Sequence, residues 1–225
     1  MFELFVSNNL CEILWQTLEY YLIFNISYYL SNAILFLIDY YDLLFDWKIN
    51  NSRNSVIDIY KKCISLVLFN TLIASIVPCF IMAWTQVNNI HYFSIGKCLF
   101  DLVVSIFLVD IFLYIMHRIF HIPYIYQNFH KKHHEIISPV GVSALYMTTT
   151  DFYFGNTLPT FLPLYILGAH RITTIIWLIG VIINTTFFAH SGYSVANYHD
   201  KHHLLFNKNY GAHVFMDKLF GTYSD

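Results

Sequence analysis

The chain has 225 residues, of which 57% are hydrophobic and only 12% charged, and its mean hydropathy is +0.51. That balance lies outside the range of an ordinary soluble domain and points to a membrane protein. A formal net charge of -2 gives no electrostatic case for binding nucleic acid.

A first apolar stretch over about residues 18–45 is interrupted by Asn25, Asn32 and Asp39, and it fits a tilted span or an interfacial helix. The start "MFELFVSNNLCEILWQ" lacks a basic segment followed by a small-residue cleavage site, so this span is expected to act as its own insertion signal. The second run, Cys63 to Thr85, has the length a bilayer requires and carries Pro78 as an expected kink. The third, about Lys97 to Met116, includes Asp101 and Asp110, acids costly enough in a membrane helix to call for partners or a function. Two more apolar stretches, about 152–167 and 172–189, are joined by "GAHR" as a helical hairpin, with Pro159 and Pro163 making its first arm irregular or re-entrant. The expected fold is an all-α, multi-pass membrane protein forming one integrated membrane domain, with amino-terminal spans over 1–94 and a catalytic region over 95–225. Cys11, Cys63, Cys79 and Cys98 form no C-x-x-C pair and are read as packing residues.

Lys48, Arg53, Lys61 and Lys62, four of the twelve basic residues, cluster in the loop after the first span, which the positive-inside tendency places in the cytosol. Counting spans from there brings His117–His134 and His199–His203 to the same cytosolic face. Of the twelve histidines, eight fall in three clusters: "HRIFH" (His117, His121), "HKKHH" (His130, His133, His134) and "HDKHH" (His199, His202, His203). Imidazoles four apart share a helix face, and the other two clusters each offer a hemisphere of nitrogen donors. One zinc takes about four ligands, so two ions fit eight imidazoles better. Ligand type alone does not choose among iron, zinc, copper and nickel. There is no Glu-x-x-His pair, so an iron site here is nitrogen-dominated. The H-E-x-x-H of a zinc hydrolase is also absent. His190, ending the last span, is a candidate ninth ligand. His91, His170 and His213 are read as structural. Glu135, Asp200 and Asp110 are candidates to accept the distal N–H of a ligating imidazole; the alternative is that Glu135 and Asp200 are solvated and Asp110 pairs with Arg118. The glycosylation sequons at Asn25, Asn50 and Asn184 are weak signals.

The three boxes, in the order H-x3-H, H-x2-HH, H-x2-HH, resemble those of the fatty acid hydroxylase and sterol desaturase superfamily of membrane di-iron oxygenases. The likeness is closest to the C-4 methylsterol oxidases. It is carried by "HSGY", "HDKHH", "NYG" and "DKLFGT" between His190 and Thr222, with "HKKHHE", "GAHRITTIIW" and the Asp110 to His121 stretch, and it covers about residues 95–223. The resemblance implies two iron ions held by the eight box histidines with His190, and electrons from a b-type cytochrome or an NAD(P)H-dependent reductase. It further implies hydroxylation of an unactivated C–H bond of a lipid, above all the C-4 methyl group of a sterol, at an endoplasmic reticulum membrane. Alternatives are a desaturase or hydroxylase of another lipid and a catalytically silent membrane scaffold. One departure is "YMTTTD", which puts Thr148 where these oxidases commonly carry a histidine and leaves the substrate open.

Overall fold

A computed structural model of the chain describes residues 2–49, 56–88, 92–194 and 198–224. Among them the structure is helical, with no strand and one isolated antiparallel bridge between Lys48 and Tyr193. The elements are α1 (Phe2–Tyr40), α2 (Val56–Asn88), α3 (Ile95–Phe120), α4 (Leu158–Leu167), α5 (Arg171–Ala189), α6 (Tyr198–Leu205) and α7 (Val214–Leu219). Within the first, second, third and fifth lie four segments long and apolar enough to cross a bilayer: Asn9–Tyr40, Val56–Asn88, Ile95–Phe120 and Arg171–Ala189.

The spans are apolar on both faces, as helices bathed in lipid must be. On α1, Tyr20, Phe24 and Tyr28 are buried in the core shared with α2 and α5 and Leu35 beside Gly141, while Leu18, Leu22, Ile26 and Leu30 stay exposed on the outer face. Trp15 and Trp84 mark one end of the bundle, and Tyr40, Tyr41 and Trp47 the other, as exposed aromatic belts do at a membrane interface. All four cysteines are free; Cys63, Cys79 and Cys98 are buried, as packing residues would be, whereas Cys11 is exposed and does not pack in the core.

Polar residues inside the spans tie the helices together. Gln86 of α2 accepts from the Tyr20 hydroxyl and donates to Thr174 of α5. Asn70 donates to the carbonyls of Leu145 and Met147 at 3.0 and 2.9 Å, and Tyr28 donates to Val142 at 2.9 Å, so two spans anchor the buried segment 140–147. The irregularity expected at Pro78 appears one turn earlier, as a wide π turn over Phe69–Ala74. Proline lacks the N–H that would bond four residues back, and the carbonyl left free at Ala74 accepts the Tyr153 hydroxyl at 3.0 Å. Asp101 pairs with Lys97 at 2.8 Å, and Lys97 also donates to the Leu167 carbonyl, joining the start of α3 to the end of α4.

The hairpin expected around "GAHR" is formed by α4 and α5. Its first arm starts with a second wide turn, Asp151–Thr157, and stops at Gly168, which takes the left-handed conformation (φ 59°). His170 then caps α5 by accepting from the Ile172 N–H at 3.2 Å. Lys61 and Lys62, expected in the basic loop, lie in the first turns of α2; Lys48 and Lys62 reach the Ser191 and Glu135 carbonyls, so the basic cluster and all three histidine boxes lie at the same end of the bundle.

Candidate metal centre

Five elements deliver the histidines. The last turn of α3 presents His117, and His121 caps it one turn later. The chain then reverses at Ile122–Pro123 into a wide turn, Tyr126–His130, whose end places His130, followed by a 3-10 turn with His133 and His134. A further wide turn, Asn184–Ala189, closes α5 and sets His190 at its end, and α6 carries His199, His202 and His203.

All nine come together in two groups. His117, His121, His130, His134 and His202 form one; His133, His190, His199 and His203 form the other; within each, one ligand atom per residue lies within 4.8 Å of every other. In the first, Nε2 atoms face each other at 3.1 Å (His117 to His130, His130 to His134, His121 to His202) and 3.2 Å (His134 to His202). In the second, the Nε2 atoms of His190 and His133 are 3.3 Å apart.

The opposite ring nitrogens decide what those facing atoms are. Nδ1 of His117, His190 and His202 donates to the carbonyls of Tyr210 (2.8 Å), Thr185 (3.0 Å) and Lys208 (2.6 Å). A carbonyl only accepts, so these rings carry their proton on Nδ1 and turn an Nε2 lone pair inward. Lone pairs converging near 3 Å repel unless a cation lies between them, and buried acceptors left unpaired cost about 1–3 kcal/mol each. Both ring nitrogens of buried His203 lack a partner among the described residues. The donor set therefore fits metal ions, one for each group. Burial above all, then the neighbouring imidazoles, keeps the rings neutral and ready to ligate: His121 is pushed down to about 2 and His134 to about 3, and His130, His133, His199, His202 and His203 fall well below the usual histidine value.

The acids singled out in the sequence sit elsewhere. Asp110 accepts from the His213 and Met216 N–H groups at 2.7 and 2.9 Å, capping α7. Arg118 turns instead to the Tyr114 hydroxyl and lies over the Tyr210 ring. Glu135 bridges Lys62, Lys132 and the Tyr146 hydroxyl near the surface. Asp200 is buried but accepts from the Gly192 N–H at 2.9 Å. The carboxylate that does meet an imidazole is Asp151, whose Oδ2 lies 2.7 Å from His130 Nδ1. Sequence reasoning passed over it. The available signal was the Thr-x-x-Asp spacing in "TTTD", because Thr148 Oγ1 accepts from the Asp151 N–H at 3.3 Å and donates to the Phe129 carbonyl at 2.7 Å. Thr148 thus joins the backbone beside His130 to the start of the Asp151 turn. A Cβ on Gly155 would collide with the Asp151 carboxylate, so only glycine lets that side chain lie where it does.

The tail is held by Asp217, which accepts from the Tyr210 and Gly211 N–H groups at 3.0 and 2.7 Å and from the Thr222 hydroxyl at 2.6 Å. This network fixes the Tyr210 carbonyl on which His117 rests. Above the imidazoles, between α3 and the α4–α5 hairpin, opens a cavity of about 410 Å³. Its floor includes His117, His130, His133, His190 and His199, and its walls include Leu102, Ile106, Val109 and Trp177. Of the remaining histidines, His213 lines this cavity, His170 is at the far end of the bundle, and His91 lies outside the described residues, as does the sequon at Asn50.

The fatty acid hydroxylase family model matches residues 102–222, more than half of the chain and every one of the nine clustered histidines. The chain belongs to the fatty acid hydroxylase family. It is 30% identical over 194 residues to fatty acid hydroxylase domain-containing protein 2 of Homo sapiens, covering 78% of this chain and 56% of the relative. Fatty acid hydroxylase ahd1 of Mycosarcoma maydis is 32% identical over 174 residues, 72% of this chain and 45% of its own length. Methylsterol monooxygenase 1 of Rattus norvegicus is 27% identical over 219 residues, 87% of this chain and 73% of its own length. The chain spans about half the length of the first two of these family members. No solved structure matches it.

Proposed function

We propose that this protein is an O2-dependent, non-haem di-iron oxidoreductase of the membrane that hydroxylates a C–H bond of a lipid, with the C-4 methyl group of a sterol as the favoured substrate. The observation that carries this reading is the pair of facing imidazole groups, of five and four, at the floor of an apolar cavity within the spans. The first group, His117, His121, His130, His134 and His202, would hold one iron, and His133, His190, His199 and His203 the other. Bound there, the two irons supply the redox chemistry by which O2 is activated and a hydroxyl group is placed on carbon.

The chain's own residues do the rest. Nδ1–H bonds to the Tyr210, Thr185 and Lys208 carbonyls hold three rings with Nε2 inward, and Asp151 holds His130 and raises its basicity. Leu102, Ile106, Val109 and Trp177 bind an apolar skeleton and keep water from its reacting carbon. The cavity lies between helices that cross the bilayer, which gives a lipid a route in. Electrons are supplied by a b-type cytochrome or an NAD(P)H-dependent reductase. The histidine end shares its side with the basic cluster of Lys48 and Lys62, which favours a cytosol-facing site, and the endoplasmic reticulum is the membrane proposed for it. Likeness to methylsterol monooxygenase 1 over 87% of this chain supports the sterol, and likeness to ahd1 supports a fatty acyl substrate as the second reading.

The test is expression with an electron donor in cells that lack 4-methyl sterol oxidation, followed by sterol mass spectrometry and metal analysis of the gently purified protein. Loss of 4-methyl sterols with about two irons per chain, and little iron after His202→Ala, is expected from the ligand count. Persisting 4-methyl sterols would remove that substrate, and stoichiometric zinc without iron from iron-replete, oxygen-free cells would defeat the oxygenase reading.

A further inference from the structure

The asparagines buried within the spans spend their amides on backbone carbonyls. Asn25 donates to Tyr21, Asn32 to Tyr28, and Asn70 to Leu145 and Met147. Asn156 and Asn184 do not follow this pattern. Both line the cavity above the imidazoles, and among the described residues neither side-chain amide has a hydrogen-bond partner. Asn156 sits in the wide turn Asp151–Thr157, and Asn184 opens the wide turn Asn184–Ala189, on the two arms of the same hairpin. Such turns displace a residue from the regular helical face and recur at functional sites.

The surroundings leave room for a ligand. A Cβ built on Gly180, which also lines the cavity one helical turn before Asn184, meets nothing within 4 Å. The hydroxyl proton of neighbouring Thr160 is committed to the Asn156 carbonyl at 2.7 Å, so it is not available to the amide oxygens. Each amide faces a largely apolar cavity with two donors and an acceptor unmet. A ligand that offers both a donor and an acceptor would satisfy them.

We propose that Asn156 and Asn184 form a polar clamp that binds the neutral oxygen function of a lipid substrate, a hydroxyl or carbonyl group, and so select an oxygenated lipid over a hydrocarbon chain or a free carboxylate. An amide can donate to and accept from such an oxygen. No lysine or arginine lines the cavity and the Asp151 side chain does, so its walls offer a free carboxylate no charged partner. A sterol alcohol and a fatty alcohol, ester or amide all meet the requirement. The inference rests on the oxygenase reading in taking the cavity as the substrate site, and it adds the chemical group by which substrate is chosen. It also assigns Asn184 a role that its sequon does not, since a side chain inside this cavity is beyond the reach of a glycosyltransferase.

The experiment measures binding to the full-length, detergent-solubilised protein without turnover. Tritiated lanosterol and tritiated hexadecanol each serve as the probe, with 3-deoxylanosterol, hexadecane and hexadecanoate as competitors. The expected result is that each alcohol binds roughly tenfold or more tightly than its matched hydrocarbon, and hexadecanol more tightly than hexadecanoate. Asn156→Ala and Asn184→Ala should each narrow the alcohol preference about fivefold and leave hydrocarbon affinity in place. If an alanine variant does not fold, Asn156→Ser and Asn184→Ser replace it, with a smaller narrowing expected. No binding of either probe, equal affinity within both pairs, or an undiminished preference in both variants would overturn the clamp. Selective binding with no lipid oxidised retains the clamp and defeats the oxygenase reading; oxidation with equal affinity for alcohol and hydrocarbon does the reverse.

Discussion

His130 and Asp151 are brought to 2.7 Å, Nδ1 to Oδ2, with both side chains buried. The contact joins the second histidine box to the first turn of the α4 arm and makes Asp151 the carboxylate that orients a ring of the five-imidazole group. Replacing such an outer partner lowers metal affinity by about 10–100-fold in known sites. Asp151→Ala is expected to fall in that range and Asp151→Asn, which keeps an acceptor oxygen, to fall less. Gly155→Ala should imitate Asp151→Ala, because its Cβ would push the carboxylate away from His130. Competition for iron against a chelator of known affinity checks all three, and wild-type affinity in Asp151→Ala would remove the role.

Asp217 does for His117 at one remove what Asp151 does for His130 directly. Its side chain takes the Tyr210 and Gly211 N–H groups and the Thr222 and Tyr198 hydroxyls. Asp217→Ala strands two buried N–H groups at about 1–3 kcal/mol each, so the tail is expected to loosen by several kcal/mol. Limited proteolysis should then cut between residues 206 and 224 much faster than in wild type. Asp217→Asn, able to accept but burdened with an extra donor, should lie between the two.

The pH dependence of the metal-free protein follows from the buried rings. His121, His134 and His190 have folded values near 2, 3 and 4, against an ordinary 6.5, chiefly through burial. A lowered folded value means that the unfolded chain binds the protons first. Stability is therefore fully present above about pH 6.5 and is lost as the pH falls toward those folded values, by about 1.4 kcal/mol per pH unit for each proton taken up. Thermal unfolding of the apoprotein in detergent should give a constant Tm from pH 7 to 8 and a steep fall between pH 6.5 and 5. Bound iron should flatten that fall, because it holds the same nitrogens against protons. A Tm that rises on acidification would contradict the assignment of neutral, ligand-ready rings.

The four spans and the nine clustered histidines were legible in the sequence because each is a local signal: a long apolar run, or imidazoles at short spacing. Their arrival at one end of the bundle was legible too, since counting spans fixes which ends match. Three acids were harder to place. Asp110, Glu135 and Asp200 stand near the boxes in sequence, yet they bind the amino terminus of α7, two lysines and the Gly192 N–H. The acid that touches an imidazole lies 21 residues from its histidine, brought there by segment 140–147, which Tyr28 and Asn70 anchor from other spans.

By itself the sequence determined a helical membrane protein with a histidine-rich centre, because hydropathy and imidazole spacing are properties of short stretches of chain. Tertiary structure alone decided the division of nine rings into groups of five and four, the turning of Nε2 lone pairs inward by distant carbonyls, and the exposure of two free amides to one cavity. Each of those depends on which separate helices pack together and in what rotation, and no local pattern in the chain encodes that.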